Sequence, residues 1–297
     1  MIAYLIYEKR EGEKNLGFIR LFQEAGKEAG FSFFFVLKEE YQKRELPELV
    51  LNRTRDAKVS LWYEKRGVRV VHGSRLVSIG NDKWKTIQYI IEYDRKRGFL
   101  HSDNLTVFRE GRLPDTIFLP GFQKELFMKE IWEQGWHKGE DLVLKSVDGH
   151  GGSEVFLLPC TEIRRNSPEM MAAFDLLSGK DCIVQERIKS DAKDLRIYIL
   201  GNRIYHAMLR TGKRDFRSNH SLGGTAESYE LSESERQTVE AYLEAFSGLG
   251  LELCGLDFIV AEDGSLVFNE LEEMVGCRML YEYSDKEIVR DFINSNI

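Results

Sequence analysis

The chain has 297 residues, 42% of them hydrophobic, which is ample for a buried core and suggests two or three lobes. Its formal net charge of −7 argues against a general nucleic-acid-binding protein, because such proteins usually carry a basic balance. The four cysteines are scattered without a C-x-x-C pair, a pattern that disfavours a zinc knuckle or a disulfide framework and predicts a reducing, cytoplasmic location.

The N-terminal region is predicted to form a small parallel α/β domain, because continuous apolar strands alternate with helical periodicity. The opening apolar run lacks the basic segment and cleavage site of a signal peptide and is interpreted as a strand. No run approaches the ~18 apolar residues of a membrane span, so we expect no membrane partner. The predicted elements are a strand at 2–7, a helix at 15–30 and strands at 31–37, 49–51 and 68–71.

Two arginines follow the third predicted strand. Ligands of parallel α/β domains bind at the carboxyl ends of the strands. Arg53 and Arg55 are therefore candidates for holding a substrate carboxylate, and a solvent-exposed loop is the alternative.

Beyond this domain the pattern changes from alternating strands and helices to hairpins. A helix is predicted to open at Lys83, and strands dominate from Leu142 onward. Gly201-Asn202 between two apolar runs predicts a two-residue hairpin turn. The amphipathic helix predicted at 232–250 is assigned a packing role without chemistry.

A glycine-rich loop joins two predicted strands. Lys145 lies inside the apolar run 142–147, which leads directly into Asp148-Gly149-His150-Gly151-Gly152-Ser153 and then into another strand. Backbone N–H groups of such a loop can approach phosphate oxygens, and a lysine on the preceding strand can reach the same phosphates. The Gly-Lys-Ser/Thr ending and following helix of a P-loop are missing. The segment predicts a phosphate-binding flap, with an ordinary glycine-rich hairpin as the alternative.

Two further segments point to nucleotide and anion binding. The strand 181–188 ends in Gln185-Glu186-Arg187-Ile188 and is either a linker whose backbone binds an adenine edge or a core strand. A basic loop follows the next hairpin, and arginine's planar fork suits phosphate and carboxylate; a solubilising loop is the alternative. Its residues are Arg210, Lys213, Arg214, Arg217, Asn219 and His220, with Arg196 on the preceding hairpin.

Three carboxylates lie in a predicted β-hairpin near the end of the chain. If Ala261 pairs with Leu266, Asp257 lies opposite Glu270, and Glu272 follows on the same face. Two charges ~5 Å apart at an effective dielectric of ~20 repel by roughly 3 kcal/mol, so a compensating cation is expected. Oxygen ligands without neighbouring Cys or His favour Mg²⁺ over Zn²⁺. A solvated acidic hairpin is the alternative.

Taken together, these segments resemble the ATP-grasp superfamily, in particular its RimK-like carboxylate–amine ligases, over about residues 69–276. The order and spacing of the motifs establish the resemblance more than any single motif does. The matching positions are the two nucleotide lysines Lys83 and Lys145, the adenine hinge Gln185-Glu186-Arg187-Ile188, the D-x-R strand Asp194-Leu195-Arg196, Arg210 with Arg217 and Asn219 of the substrate loop, Gly255-Leu256-Asp257, and Glu270 to Gly276 against the family's E-V-N-S-S-P-G.

The resemblance implies a mixed α/β and α+β protein with an ATP-grasp fold. Residues 1–80 would be the N-terminal parallel α/β (pre-ATP-grasp) domain, and residues 81–297 the ATP-grasp domain. Within the latter, a small lobe over about 95–185 and a large lobe over about 186–297 would clasp the nucleotide. The implied ligands are ATP, contacted by Lys83, Lys145, Gly149, Gly151, Gly152 and Ser153, and Mg²⁺, with Mn²⁺ as an alternative, held by Asp257, Glu270 and Glu272.

The implied activity is ATP-dependent formation of an amide or peptide-type bond through an acyl phosphate. Small-molecule or peptide carboxylates and amines are the expected partners, and a homo-oligomer is an open possibility. An ATP-grasp kinase and a nucleotide-binding regulatory or coat-associated protein without turnover remain as alternatives. Glu272 stands where the family has asparagine, and its extra charge should tighten or duplicate metal binding. The residues implied to hold the phosphates and the acyl oxygen are Arg196, Arg210, Arg217 and Asn219.

Overall fold

Three β-sheets organise the part of the chain that the computed structural model describes, residues 1–97, 107–108, 111–136, 139, 141–165, 167–212 and 224–295. The first sheet is parallel, the second is antiparallel, and the third is mixed. None of the helices in these ranges combines the length and the apolar character needed to cross a bilayer. The predicted combination of a parallel α/β unit with antiparallel α+β units is confirmed.

The N-terminal elements are β1 (Ile2–Tyr7), α1 (Lys9–Lys14), α2 (Leu16–Glu28), β2 (Ser32–Leu37), β3 (Leu49–Asn52), α3 (Ala57–Glu64), β4 (Arg69–Val70) and α4 (Ser74–Gly80). The four strands form a parallel sheet in the order β2-β1-β3-β4. Both central strands are buried along almost their whole length, which explains why they are continuously apolar in the sequence.

The middle elements are α5 (Lys83–Lys96), β5 (Val107–Phe108), β6 (Gly111–Arg112), β7 (Thr116–Leu119), α6 (Lys124–Glu133), β8 (Leu142–Ser146), β9 (Val155–Leu158), α7 (Cys160–Arg165), α8 (Pro168–Leu177) and β10 (Cys182–Glu186). Strands β7, β10, β8 and β9 form an antiparallel sheet in that order. Helices α6 and α8 cover one face of this sheet, with Phe122, Phe127 and Phe174 in edge-to-face or tilted contacts.

The remaining elements are β11 (Lys193–Leu200), β12 (Arg203–Thr211), β13 (Thr225–Tyr229), α9 (Glu233–Phe246), β14 (Leu253–Val260), β15 (Leu266–Glu272), α10 (Arg278–Tyr283) and α11 (Ile288–Ser295). The large sheet has the order β13-β12-β11-β14-β15-β6-β5. Its predicted turn at Gly201-Asn202 is confirmed, with φ of 58° and 62° at the two residues, as a primed hairpin turn requires. Helix α9 begins with a capping box between Ser232 and Glu235.

The last helix packs against the first domain. Phe292 of α11 contacts Phe22 of α2 with ring centroids 5.9 Å apart, and both rings are fully buried. The same core extends from β1 and β2 to residues of the large sheet such as Tyr198 and Met208. This shared core holds the N-terminal sheet against the large sheet.

A buried histidine links these two sheets. His72 follows β4 and is inaccessible to solvent, and its Nε2 lies 3.1 Å from the carbonyl oxygen of Leu253 at the start of β14. Burial, reinforced by the positive charge of Arg53, lowers the pKa of His72 to about 3 from its ordinary value of 6.5. His72 is therefore neutral in the folded protein at physiological pH.

This histidine should make the protein sensitive to acid. Between pH 6.5 and pH 3 the unfolded state binds a proton that the folded state does not, so the free energy of unfolding falls as the pH decreases. We expect His72→Gln, which can still donate to the Leu253 carbonyl, to reduce the stability lost between pH 7 and pH 5 by about 2 kcal/mol in urea unfolding. Equal losses in the variant and the wild type would contradict this assignment.

Candidate active site

A buried network of opposite charges crosses the large sheet. Arg210 Nε and Nη2 each donate to the Asp194 carboxylate at 2.6 Å, and Arg196 Nε and Nη2 donate to Asp257 at 2.8 and 2.6 Å. Arg210 Nη2 also reaches Asp257 at 2.8 Å, and Arg196 Nη2 reaches Glu272 at 3.2 Å. Asp194 lies directly opposite Arg210 in the strand register, and Arg196 directly opposite Asp257. The register itself therefore assembles the network.

These arginines balance carboxylate charge that the sequence analysis assigned to a divalent cation. Burial alone would raise the pKa of Asp257, but the charges and hydrogen bonds of Arg196 and Arg210 outweigh burial and lower this pKa to about 2. Burial raises the pKa of Glu272, although Arg196 opposes the shift. Within the described ranges, no three acidic, histidine or cysteine side chains are grouped so as to hold a metal ion. Arg196 and Arg210 thus already supply positive charge beside Asp257, and the expectation that this carboxylate also binds a divalent ion remains a prediction.

The carboxylate hairpin contains a β-bulge that the sequence analysis missed. At the turn Leu266 pairs with Val260, whereas the predicted partner was Ala261. Asp257 nevertheless lies opposite Glu270, as predicted. The register shifts between these two points because Asn269 has no partner across the strand pair. A bulge re-aims side chains, and here Asn269 and Glu270, although consecutive, both line one cavity.

Two lysines lie beside the loop that joins β8 to β9, and one of them also contacts the carboxylate hairpin. Lys145 on β8 is buried, and its Nζ donates to Asn269 Oδ1 at 3.3 Å. Burial, with the nearby charge of Lys83, lowers the pKa of Lys145 to about 8, against the opposing influence of Glu270. Lys83 begins α5, and its Nζ donates to the carbonyl oxygen of Gly149 at 2.6 Å. Both ammonium groups are thus placed beside the loop that joins β8 to β9.

That loop, residues 147–154, depends on its glycines. Gly151 and Gly152 have φ of 64° and 74°, in the left-handed region that disfavours other residues. A Cβ on Gly149 would overlap the hydroxyl of Ser146. Ser153 Oγ donates to the carbonyl oxygen of His150 at 3.0 Å and stabilises the turn. The predicted strand–loop–strand arrangement is confirmed and glycines of the loop line the cavity, whereas its role as a phosphate-binding flap remains a prediction.

The predicted hinge follows β10. Gln185 is buried, and its Nε2 donates to Thr116 Oγ1 at 2.8 Å. Arg187 is fixed to Asp141, through its backbone N–H at 2.9 Å and its Nη1 at 3.0 Å. These bonds fix the hinge backbone beside the cavity. Its extended backbone could there form hydrogen bonds with a nucleotide base.

The residues described above border one cavity of about 790 Å³. We call its two ends the flap half and the helix half. The flap half is lined by Lys83, Lys145, Gly149, Gly151, Gly152, Gln185, Glu186, Arg187, Ile188, Asn269 and Glu270. The helix half is lined by Phe18 and Leu21 of α2, by Arg53, and by Arg278, Met279 and Tyr281 of α10. Arg196, Arg210 and Glu272 also line the cavity.

Two predicted site residues do not line this cavity, and two others are not among the described residues. Asp257 is 1% exposed and is enclosed by its arginine partners, so it does not line the cavity. Ser153 lines a neighbouring cavity instead. Arg217 and Asn219 lie outside the described residues, as do Lys213, Arg214 and His220. The residue that the sequence analysis missed is Asn269; its signal is a polar side chain in an apolar strand, directly before Glu270.

Asn269 should orient Lys145. We expect Asn269→Leu, which removes the hydrogen bond but fills a similar volume, to raise the KM for ATP about fivefold, since such a bond contributes about 1 kcal/mol. The kcat should change less, because Lys145 keeps its charge. Ser265→Ala, in the exposed turn of the same hairpin, is the control and should leave the KM unchanged. Measuring ADP release against ATP concentration checks both. A normal KM in Asn269→Leu would show that this contact does not matter.

Comparison with known proteins agrees with this geometry. The sequence profile of the RimK-like ATP-grasp domain matches residues 133–295. The chain is 28% identical over 242 residues to a protein named probable alpha-L-glutamate ligase from Vibrio vulnificus strain YJ016, covering 79% of this chain and 70% of that protein.

Two solved structures share the fold. One is the RimK domain protein ATP-grasp from Sphaerobacter thermophilus DSM 20745, with a TM-score of 0.68 and 19% identity, covering 100% of this chain and 99% of that chain. The other is the ATP-grasp ligase PsnB complexed with minimal precursor, Mg and ADP, with a TM-score of 0.65 and 15% identity, covering 99% of this chain and 95% of that chain.

Proposed function

Because the chain belongs to the RimK-like ATP-grasp family, we propose that it is an ATP-dependent ligase that joins a carboxylate to an amine, and that the cavity between its sheets is the active site. The observation that supports this best is the convergence of two lysines, a glycine flap and two cavity-lining glutamates at one end of that cavity. The relatives named as glutamate ligases point to the same class of reaction.

ATP fits the flap half on chemical grounds. Val143, Val155, Ile188 and Ile259 offer apolar walls for the faces of a base, and the hinge backbone from Gln185 onward lies beside them. Lys83, Lys145 and the glycine-rich loop would neutralise the triphosphate. Nucleotide binding must then compete for Lys83, whose ammonium is bound to the Gly149 carbonyl in this structure.

The donor set fits Mg²⁺. Glu270 and Glu272 line the cavity, and their carboxylate oxygens are ligands of the kind that Mg²⁺ prefers. Mg²⁺ commonly uses one or two carboxylates together with substrate phosphates, so the engagement of Asp257 by arginines leaves enough ligands. When bound, the ion would neutralise charge on the phosphates during transfer. Asp257 would act indirectly, by positioning Arg196 and Arg210. Direct binding of the metal ion by Asp257 remains a prediction.

The protein's own residues would do the rest by position and charge. A substrate carboxylate attacks the γ-phosphate to give an acyl phosphate and ADP, and an amine then displaces phosphate to form the amide. Arg196 and Arg210 line the cavity with their guanidinium groups held rigid by Asp194 and Asp257, so they can stabilise charge on the transferred group without reorganising. Closure of the flap would exclude water from the acyl phosphate.

A screen of amino acids and dipeptides with Mg-ATP, monitored by phosphate release and by mass spectrometry, tests this function. We expect phosphate release that requires both an acid and an amine, and an amide product whose mass equals that of the acid plus the amine less one water. A stable phosphorylated product formed without an amine would instead identify a kinase. Nucleotide binding without turnover on any pair would favour a regulatory protein.

A further inference from the structure

One arginine in the helix half of the cavity has charge and hydrogen-bond donors that the protein does not use. Arg53 follows β3, and its Nη2 donates to the carbonyl oxygens of Met274 and Val275 at 3.0 and 3.3 Å. Its Nε and Nη1 are buried and have no hydrogen-bond partner. Among the described residues, no carboxylate lies within 4.0 Å of its guanidinium nitrogens. This differs from Arg196 and Arg210, which both have carboxylate partners.

Such an arrangement is unfavourable unless something completes it. A buried donor without an acceptor loses its hydrogen bonds to water without replacement, and this is more unfavourable when the donor is charged. The buried hydroxyl of Tyr7 lies close to Arg53, whose charge and hydrogen-bonding interaction lower the pKa of this hydroxyl against the larger, opposite effect of burial; the hydroxyl supplies no negative charge to balance Arg53. Charged groups in protein interiors are normally paired. Arg53 lines the cavity, so an anion in the helix half could reach it once the guanidinium turns toward that space.

The surroundings of Arg53 indicate what kind of ligand this is. Its guanidinium carbon lies 5.0 Å from the centroid of the Phe18 ring, and Leu21, Met279 and Tyr281 complete an apolar wall. Arg278, at the start of α10, is a second cation on the same half. The carbonyl groups that accept hydrogen bonds from Arg53 belong to Met274 and Val275, which follow the end of β15 at Glu272. Because the phosphates are proposed to bind between Lys83, Lys145 and the flap, a carboxylate held at Arg53 is assigned a non-reacting role.

We propose that Arg53 binds a non-reacting carboxylate of one of the two molecules that the enzyme joins. This inference rests on the proposed function and narrows its substrate class. The carboxylate could belong to an amino acid that supplies the amine, or to a dicarboxylic acid that supplies the acyl group. Both present the same chemistry to Arg53, and the experiment separates them.

The test is equilibrium binding, which does not need turnover. The full-length protein is mixed with Mg²⁺ and a non-hydrolysable ATP analogue and titrated with L-amino acids, with simple dicarboxylic acids, and with the matched amide of each. Calorimetry and thermal stabilisation are the readouts. We expect at least one free acid to bind about 10- to 100-fold more tightly than its amide, the range of a charge-assisted hydrogen-bond pair. Preference among the amino acids or among the dicarboxylic acids identifies the source.

Variants then assign the effect to Arg53. Arg53→Gln should remove the preference for the acid over its amide, and Arg53→Lys, which keeps the charge and a donor, should restore part of it. Arg20→Gln is the matched control, because Arg20 carries the same charge on α2 but is exposed and does not line this cavity. Equal binding of acids and amides, no binding of any acid, or an unchanged preference in Arg53→Gln would each overturn the proposal. A failed ligase assay with intact acid binding would instead refute the proposed function.

Discussion

Glu270→Gln should slow turnover strongly without destabilising the protein. Glu270 lines the cavity beside Lys145 and has no ion pair among the described residues, so its charge is available to a bound cation. Loss of one preorganised electrostatic contact in an active site costs roughly 100- to 1,000-fold in kcat. The free energy of unfolding should stay within about 0.5 kcal/mol of the wild type, because Glu270 makes no ion pair among the described residues and only its longer-range attraction for Lys145 is lost.

The measurement is ADP release as a function of Mg²⁺ concentration, together with urea unfolding. We expect the variant to require more Mg²⁺ and to remain slow even at saturation. Glu262→Gln is the matched control, since Glu262 belongs to the same hairpin but is exposed in its turn. Full activity in Glu270→Gln would exclude this carboxylate as a metal ligand.

Asp257→Asn should behave in the opposite way, with a large loss of stability. Asp257 is the shared acceptor of Arg196 and Arg210; it is almost inaccessible to solvent, as is Arg210, and Arg196 is largely buried. Breaking a buried ion pair by removing one partner costs about 3–5 kcal/mol, because the remaining charge stays buried without compensation. We expect the lower end, about 3 kcal/mol, because asparagine keeps one acceptor oxygen and the arginines keep Asp194 and Glu272.

This expectation changes how an inactive Asp257 variant is interpreted. Loss of activity alone cannot identify a metal ligand, since the same substitution removes the negative charge that both arginines share. Urea unfolding of Asp257→Asn beside Glu270→Gln separates the two roles. A stable but inactive Asp257→Asn would favour direct metal binding, whereas a destabilised one supports the positioning role. An Asp257→Asn protein with wild-type stability and activity would contradict both.

Much of the fold could be predicted from local pattern. The strands β1, β2 and β3 follow from continuous apolar runs, and the turn at Gly201-Asn202 from its residue types. The pairing of Asp257 with Glu270 across the hairpin was also predicted, but the prediction assumed a regular ladder. In the structure the pairing at the turn differs from the predicted one by one residue, and a bulge at Asn269 compensates for this difference. A bulge is set by packing across several strands, so a single hairpin sequence does not reveal it.

The electrostatic arrangement of the site was less accessible to prediction. Arg196 and Arg210 were expected to face ligands, whereas their guanidinium groups also bind carboxylates across the sheet. That pairing depends on the register between β11, β12 and β14, which brings together residues far apart in the chain. The burial that leaves Arg53 without a counter-ion also arises only when the first domain packs on the loop after β15.

The hydrogen bond from Lys83 to Gly149 has a consequence for how nucleotide enters. The ammonium group of Lys83 would attract the triphosphate, and it also holds the flap to the start of α5. When a nucleotide binds, its phosphate would therefore compete with the Gly149 carbonyl for this ammonium group, and the flap would be released. Nucleotide binding and release of the flap are thereby coupled through one ammonium group. Nucleotide association should proceed in two kinetic phases, a fast encounter followed by a slower release of the flap.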